Sequence, residues 1–163
     1  MQQNAVAESE TYSLISRLFL DTNIFLELEF QDLRWQECSQ LLKKVETGEI
    51  KASTSDFVVY SSILEIGSKE RNKTASKIET FLTALSSLKG LSILRPSATE
   101  MADAAKLMRI RKLDYDDSYI VSSMKAEGIK TLVSFDRHFD KQDEIKRLEP
   151  IQILAAMESE TSA

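Results

Sequence analysis

The feature that most constrains the fold is an apolar run that ends abruptly in polar groups, at residues 17–23 (Arg-Leu-Phe-Leu-Asp-Thr-Asn). Leu18, Phe19 and Leu20 form an unbroken apolar stretch, which is typical of a buried parallel strand. Asp21 follows directly, so we expect its carboxylate at the C-terminal edge of a sheet. Burying an isolated carboxylate is costly, so Asp21 must be hydrated, paired or bound to a cation. Further carboxylates at the same edge would therefore indicate a functional site.

Strands and helices alternate along the rest of the chain. We predict strands at Leu14–Leu20, Ile50–Ser53, Leu91–Leu94, Thr131–Phe135 and Pro150–Leu154. Apolar residues at helical spacing predict helices at Ile24–Leu28, Trp35–Thr47, Asp56–Ser68, Asn72–Leu88, from Ser97 or Thr99 to about Lys112, and from about Asp117 to Glu127. This alternation predicts an α/β fold, a three-layer α/β/α sandwich with a mainly parallel central sheet.

The domain organisation follows from the absence of linkers and repeats. We predict a single domain over residues 14–155, preceded by a polar N-terminal extension (1–13) and followed by a polar tail (156–163). On the helix that ends near Lys112, we expect four residues to face the core: Met101, Ala104, Ala105 and Met108.

Composition excludes several kinds of protein. One cysteine, Cys38, forms no intramolecular disulfide, and with the single histidine, His138, it leaves no plausible zinc ligand set. This indicates a reducing, cytoplasmic setting. No apolar stretch is long enough to cross a membrane, and no secretory signal is visible in the first residues. The net charge of -5 argues mildly against nucleic-acid binding through an overall basic surface.

Other carboxylates are predicted to reach the same edge as Asp21. Asp136 follows the strand Thr131–Phe135 as Asp21 follows its own strand, and Asp116 and Asp117 open the helix before it. A helix that starts at the carboxyl edge of a parallel sheet places its first residues on the same rim. Glu65 lies between two apolar residues within a helix, and so it lies off a plainly solvated stripe.

Three or four carboxylates on one rim repel one another unless their pKa values rise or a cation binds. Their hard oxygen ligands favour Mg²⁺ or Mn²⁺. Such a metal lowers the pKa of a bound water and polarises a phosphoryl oxygen, which supports metal-dependent phosphodiester hydrolysis.

Each carboxylate also has a purely structural interpretation. Asp21 could cap the helix that starts near Ile24, and one of Asp116 and Asp117 could cap its helix while the other binds metal. Glu65 could form a buried salt bridge with a lysine or arginine. For His138 we expect a surface or loop position.

The same segments together resemble the PIN domain family, which includes the VapC-type toxin ribonucleases of prokaryotes. The resemblance is carried by Asp21-Thr22-Asn23 after an apolar strand, a mid-chain acidic helix residue, residues 113–118 (Leu-Asp-Tyr-Asp-Asp-Ser) and residues 133–137 (Val-Ser-Phe-Asp-Arg), and covers roughly Leu18 to Leu154. It implies an RNase H-like sandwich, Mg²⁺- or Mn²⁺-dependent endoribonuclease activity on RNA, a homodimer, and, for a toxin, a small antitoxin partner.

The resemblance also implies roles for particular residues. The predicted catalytic and metal-binding acids are Asp21, Glu65, Asp117 and Asp136; the supporting residues are Asn23, Asp116 and Ser134; and Arg137 is predicted to bind substrate. Family members usually carry the second acid near Tyr60 or Ser61, where this chain has none. Glu65 lies one turn later and can face the same direction, and Asp56 is a weaker substitute.

Three functions compete. The leading hypothesis is a metal-dependent endoribonuclease, as the toxin of a toxin–antitoxin pair or as a stand-alone enzyme. The missing acid near Ser61 and the net charge motivate a second, a catalytically weak PIN module that serves as an RNA-binding or assembly subunit. A phosphoryl-transfer domain of the receiver or phosphatase type is disfavoured, because Asn23 stands where such phosphatases have their second aspartate.

Overall fold

The central element is a parallel sheet. The structure, a computed structural model, describes Ile15, residues 17–69 and residues 74–161. Its strands are β1 (Leu18–Leu20), β2 (Ala52–Ser55), β3 (Leu91–Leu94), β4 (Thr131–Val133) and β5 (Lys146–Leu148). They form one five-stranded sheet in the order β3-β2-β1-β4-β5, and every neighbouring pair is parallel.

Helices flank this sheet, which confirms the predicted α/β/α sandwich. They are α1 (Thr22–Phe30), α2 (Trp35–Thr47), α3 (Asp56–Lys69), α4 (Thr74–Ser87), α5 (Ala98–Arg111), α6 (Tyr115–Ala126) and α7 (Pro150–Thr161), with a 3-10 helix at Arg137–Lys141. In their main contacts, α5 and α6 pair with each other, while α1, α2, α3, α4 and α7 form a second group. None of these helices combines the length and the apolar character needed to cross a membrane.

The strand order creates a switch point beside β1. The chain builds outward from β1 through β2 to β3, and then returns to place β4 on the other side of β1. The pairing aligns Phe19 with Leu132 and Leu20 with Val133. The next positions, Asp21 and Ser134, therefore leave the sheet side by side. Ligands of open parallel sheets bind at such a point, where the direction of connection reverses.

One predicted element is wrong. The segment Pro150–Leu154, predicted as a strand, is the start of α7, and the fifth strand is Lys146–Leu148 instead. Proline suits the first turn of a helix, because its missing N–H would have no partner there. The true strand escaped the sequence pattern because it lies at the edge of the sheet and begins with two charged residues. Because α7 continues to Thr161, most of the predicted polar tail is helical.

The face of α5 is also different from the prediction. Of the four residues expected to face the core, only Ala104 is buried, and Met101, Ala105 and Met108 are exposed. The physical reason is that α5 packs against α6, a helix that contributes Ile120, Val121 and Met124 to the core. The face of α5 that packs inward carries the small residue Ala104 and the partly buried Leu107, so the other apolar side chains of the helix lie outside.

Several boundaries shift by a few residues. β1 begins at Leu18, β2 runs two residues later than predicted, and β4 ends at Val133. The predicted N-terminal extension, residues 1–13, lies outside the described residues, and the single-domain division of the chain stays a prediction. The helix Trp35–Thr47 matches its prediction, and Gly48 ends it in the left-handed conformation at φ +80°.

Gly90, just before β3, allows the backbone to pass close to the backbone of residues 45–52. Its N–H donates to the carbonyl of Val45 at 2.8 Å, and its carbonyl accepts from the N–H of Ala52 at 2.9 Å. A Cβ atom at this position would lie 2.2 Å from the carbonyl oxygen of Ile50 and 2.7 Å from that of Val45. Because both neighbours are backbone atoms, the position has no room for a side chain.

We expect Gly90→Ala to lower the free energy of unfolding by about 1–3 kcal/mol, because the added methyl group overpacks the turn. Gly67→Ala is the matched control. Its Cβ would meet only Thr74 Cγ2, at an ordinary 3.5 Å, and alanine in a helix gains up to about 1 kcal/mol over glycine. Chemical denaturation of both variants measures the difference, and equal stabilities would contradict the packing described for Gly90.

Candidate functional site

Asp21 is the most constrained acid of the rim. Only 6% of the Asp21 residue is exposed to solvent. One carboxylate oxygen, Oδ1, accepts the N–H of Thr22 at 2.7 Å, which makes Asp21 the N-cap of α1. The other oxygen, Oδ2, accepts from Asn23 Nδ2 at 2.8 Å and from Ser134 Oγ at 2.6 Å. Asp21 therefore caps a helix and also presents a carboxylate held in one orientation, so the two interpretations made from the sequence do not exclude each other.

Asn23 and Ser134 complete a polar bridge with Asp21 between the ends of β1 and β4. Asn23 Nδ2 also donates to Ser134 Oγ at 3.0 Å, and its Oδ1 accepts the N–H of Phe135 at 3.2 Å. Ser134 Oγ in turn accepts the N–H of Asp136 at 3.0 Å. The bridge thus links the first acid to the backbone that carries the last one.

Asp117 and Asp136 meet above this polar bridge, together with a residue that was not expected there. One ligand atom from each of Asp117, Asp136 and His138 lies within 4.8 Å of the other two. Asp136 caps the 3-10 helix, with Oδ1 accepting the N–H of His138 at 2.8 Å. Sequence analysis predicted a loop position for His138 and assigned it no part in the site.

The cap of α6 differs from the prediction. Neither Asp116 nor Asp117 caps the helix; Asp114 does, and its Oδ1 accepts the N–H of Asp117 at 2.9 Å. The helix therefore starts two residues earlier than predicted, at Tyr115. This leaves the Asp117 carboxylate free to face the rim, while Asp116 is exposed and lies outside the group formed with His138.

Burial and neighbouring charges raise the pKa values of Asp117 and Asp21. The pKa of Asp117 rises from 3.8 to about 6, first because of burial and then because of the charges of Asp114, Asp136 and Asp21. Burial also raises the pKa of Asp21, and the charge of Asp136 adds to the effect. Within the described ranges, no lysine or arginine forms an ion pair with any of Asp21, Asp117 and Asp136.

The donors of the rim are carboxylate oxygens with one imidazole nitrogen. Mg²⁺ and Mn²⁺ take such oxygen ligands, and a divalent cation would relieve the repulsion that raises the carboxylate pKa values. The residues present therefore fit a divalent metal.

Glu65 lies apart from these acids. It is exposed on α3, whose buried positions are Val58, Ser62 and Ile66, so the predictions that it lies off the solvated face and could form a buried salt bridge are wrong. Neither Glu65 nor Asp21 belongs to the group of Asp117, Asp136 and His138, the only such group among the described residues, but Asp21 is close enough for its charge to act on Asp117. The role of Glu65 as the fourth acid stays a prediction.

Asp56, the weaker substitute, begins α3 directly after β2. Its Oδ1 accepts the O–H of Tyr119 on α6 at 3.0 Å. Asp56 therefore links α3 to α6 through this hydrogen bond, which is a structural role.

Basic residues on segments around the acidic positions were further candidates for phosphate binding, among them Arg137, Arg111, Lys77, Arg71 and Lys73, and they differ in whether an acid already pairs with them. Arg137 is exposed beside Asp136 and forms no hydrogen bond or ion pair with the part of the chain that the structure describes. Arg111 instead pairs with Glu144 at 3.1 Å, and Lys77 pairs with Glu29 at 3.4 Å. Arg71 and Lys73 lie outside the described residues.

Sequence reasoning missed Arg147, which contacts the segment that carries Asp136 from the side of β5. Arg147 on β5 has a side chain that is only 10% exposed. Its Nη1 donates to the carbonyl of Ser134 at 2.8 Å, and its Nε donates to Asp140 at 2.5 Å. Arg147 thereby fixes both ends of the segment that carries Asp136 and His138. The only sequence signal was a pair of basic residues, Lys146 and Arg147, placed between the apolar Ile145 and Leu148.

Comparison with known proteins agrees with this architecture. The sequence profile of the PIN domain family matches residues 18–145. No curated protein sequence matches the chain.

The chain is also similar to several solved structures. VapBC2 from Rickettsia felis, bound to a DNA fragment from their promoter, has a TM-score of 0.60 at 19% identity, covering 82% of this chain and 98% of that one. VapC20 from Mycobacterium tuberculosis, a Sarcin-Ricin loop cleaving toxin, has a TM-score of 0.62 at 16% identity, covering 78% and 96%. PAE2754 from Pyrobaculum aerophilum has a TM-score of 0.61 at 15% identity, covering 87% and 98%. At these identities the likeness shows a shared fold.

We expect Asp117→Asn to stabilise the metal-free protein at pH 8, by about 1 kcal/mol. The pKa of Asp117 is about 6 in the folded state against 3.8 ordinarily. Ionisation therefore costs the folded state more than the unfolded chain. This penalty is absent at a pH below the unfolded-state pKa of 3.8. It grows as the pH rises from 3.8 to the folded-state pKa of about 6, and it is complete above that pH.

Urea denaturation at pH 8 and pH 4 measures this difference. The gain should be present at pH 8 and nearly absent at pH 4. Asp143→Asn is the matched control, because that side chain is 92% exposed. A gain that stays constant between the two pH values would show that the ionisation of Asp117 is not its cause.

Proposed function

The chain belongs to the PIN domain family, and from this premise we propose that it is a Mg²⁺- or Mn²⁺-dependent endoribonuclease that hydrolyses RNA phosphodiester bonds. The observation that carries the proposal is the acidic rim at the switch point of the parallel sheet, where Asp117 and Asp136 lie together and the charge of Asp21 acts on the Asp117 carboxylate. Burial, and after it the charges of neighbouring acids, raise the pKa values of Asp21 and Asp117, and no lysine or arginine of the described residues forms an ion pair with any of the three acids. This is the charge arrangement that a divalent cation stabilises.

Asp21, Asp117 and Asp136 would hold the cation. Once bound, it would supply Lewis-acid chemistry, lowering the pKa of a water and polarising a phosphoryl oxygen. The polar bridge of Asn23 and Ser134 holds the Asp21 carboxylate in a fixed orientation, so the site is organised before substrate arrives. Such preorganisation is effective because the ligands need little rearrangement during the reaction.

Arg137 is proposed to bind a phosphate of the RNA. Its guanidinium is exposed and directly follows Asp136 in the sequence. Guanidinium groups bind phosphate through paired hydrogen bonds. A single free arginine beside an acidic pocket can hold a neighbouring phosphate while the acids face the scissile one. A buried free cysteine, Cys38, agrees with action in the reducing cytoplasm.

We propose further that the enzyme is the toxin of a toxin–antitoxin pair, that it binds a small antitoxin protein and that it forms a homodimer. Solved structures of similar fold include toxin–antitoxin complexes from Rickettsia felis and Klebsiella pneumoniae. The chain itself exposes apolar side chains on α5, among them Met101, Met108 and Ile110. Exposed apolar surface of this kind is typical of a protein interface.

The second candidate function is a catalytically weak PIN module that acts as an RNA-binding or assembly subunit. The observation that favours it is the position of Glu65, which is exposed and outside the acidic group, while Tyr60 and Ser61 supply no acid. Three acids bind a metal less tightly than four. The two functions differ in whether metal-dependent cleavage of RNA is measurable.

We expect Asp21→Asn and Asp136→Asn each to reduce Mn²⁺-dependent cleavage of single-stranded RNA by at least about 100-fold, because each removes a charge that holds the metal. Asp143→Asn, which makes the same chemical change at an exposed site, should cleave like the wild type. Removal of metal with EDTA should stop cleavage, and added Mn²⁺ should restore it. Equal cleavage by the wild type and both rim variants would indicate a contaminating nuclease and would overturn the assignment.

Glu65 is proposed as the fourth acid, with a smaller effect than the other three. Since its side chain lies outside the acidic group, we expect Glu65→Gln to weaken Mn²⁺ binding in the absence of RNA by less than about threefold, against more than about tenfold for Asp117→Asn. Isothermal titration calorimetry with Mn²⁺ measures both. An equal loss in the two variants would show that Glu65 directly contacts the metal.

A further inference from the structure

We propose that His138 is a metal ligand of this site, together with Asp117 and Asp136, and that it shifts the preference of the site from Mg²⁺ towards Mn²⁺. The inference rests on the proposed function, because it concerns the metal that the function requires. It adds a nitrogen ligand to a site whose predicted ligands are all carboxylates.

Local structure holds the imidazole beside the acids. Asp136 caps the 3-10 helix, and its Oδ1 accepts the backbone N–H of His138 at 2.8 Å. The imidazole Nδ1 of His138 lies 3.3 Å from the same oxygen. A tight turn thus brings the carboxylate and the ring nitrogen of residues two apart to one side of the helix, where the segment is fixed from behind by Arg147.

The separations suit a shared cation. The ligand atoms of Asp117, Asp136 and His138 lie within 4.8 Å of one another. Ligands of an octahedral ion at about 2.1 Å are about 3 to 4 Å apart. A small contraction of side chains, two of which are at least partly exposed, closes this difference. The ring is 77% exposed, so a metal ion and its remaining waters can reach it.

The structure gives His138 no competing partner. Its only ion-pair contact among the described residues is Asp136, which is itself a proposed ligand. Its imidazole packs in no aromatic or cation–π contact of the described chain. An exposed ring that contacts only a metal-binding acid is placed for coordination.

Ligand chemistry predicts the consequence. Mg²⁺ favours oxygen ligands and keeps several waters, whereas imidazole nitrogen suits transition metals. The contribution of His138 should therefore be larger for Mn²⁺ than for Mg²⁺. We expect His138→Gln to weaken Mn²⁺ binding about tenfold and to change Mg²⁺ binding less than about twofold.

Pulsed electron paramagnetic resonance of the Mn²⁺-loaded protein tests the ligand directly, without RNA and without an activity measurement. An imidazole bound to Mn²⁺ produces a characteristic nitrogen modulation of the echo. The chain contains one histidine, so the signal has a single source once any polyhistidine tag is removed. The wild type should show the modulation and His138→Gln should lose it. Arg137→Gln is the control, because it changes the adjacent side chain and keeps the imidazole.

Calorimetry with Mn²⁺ on the same three proteins separates the possible failures. Bound Mn²⁺ without nitrogen modulation in the wild type would overturn the role of His138 and leave the carboxylate site intact. Modulation that persists in His138→Gln would also overturn it. Absence of Mn²⁺ binding in the wild type would overturn both this inference and the proposed metal-dependent function.

Discussion

The hydrogen bond from Ser134 Oγ to Asp21 Oδ2, at 2.6 Å, is the contact on which the geometry of the site depends. It exists because β1 and β4 are paired in a register that brings Leu20 beside Val133, so that the next residue of each strand leaves the sheet together. A slip of one residue would turn each side chain to the other face of the sheet. The buried apolar side chains of both strands prevent such a slip, because they would have to leave the core. The core therefore sets the position of the polar bridge.

A network of ion pairs on the β5 side of the site also fixes the backbone that carries the acids. Arg147 donates to the carbonyl of Ser134 and pairs with the carboxylates of Asp140 and Glu149. Glu149 also pairs with Arg34. The Arg34 guanidinium lies over the ring of Phe135, 4.0 Å from its centroid. Half-buried ion pairs of this kind add little net stability compared with apolar packing. Their directional contacts instead specify where the backbone lies. This explains why charged residues occupy an edge strand next to the site.

The sequence was sufficient for the parts of the site that depend on strand ends. An apolar run followed by an acid predicted Asp21 at the end of β1, because a run of buried apolar residues is visible in the sequence. Asp136 was predicted to follow its strand directly, but β4 ends at Val133 and Asp136 lies three residues beyond it. The order of the motifs indicated Asn23 and Ser134. The fifth strand could not be predicted in this way, because an edge strand that carries Lys146 and Arg147 lacks the apolar signal. The buried face of α5 could not be predicted either. Its apolar residues follow helical spacing, but the helix packs on α6 and leaves most of those side chains exposed to solvent.

Tertiary contacts also explain why His138 and Asp114 were missed. Sequence analysis considered only Asp116 and Asp117 as caps, because it placed the start of the helix near Asp117, whereas the observed start of α6 at Tyr115 makes Asp114 the cap. That choice frees Asp117, whose pKa of about 6 shows that the folded chain keeps a carboxylate where its charge is disfavoured. A fold held together by its core can tolerate this penalty, because apolar burial supplies far more stability than one strained charge removes. The proposed metal-dependent function accounts for this placement of acids on the rim, because a bound cation would convert the same repulsion into affinity.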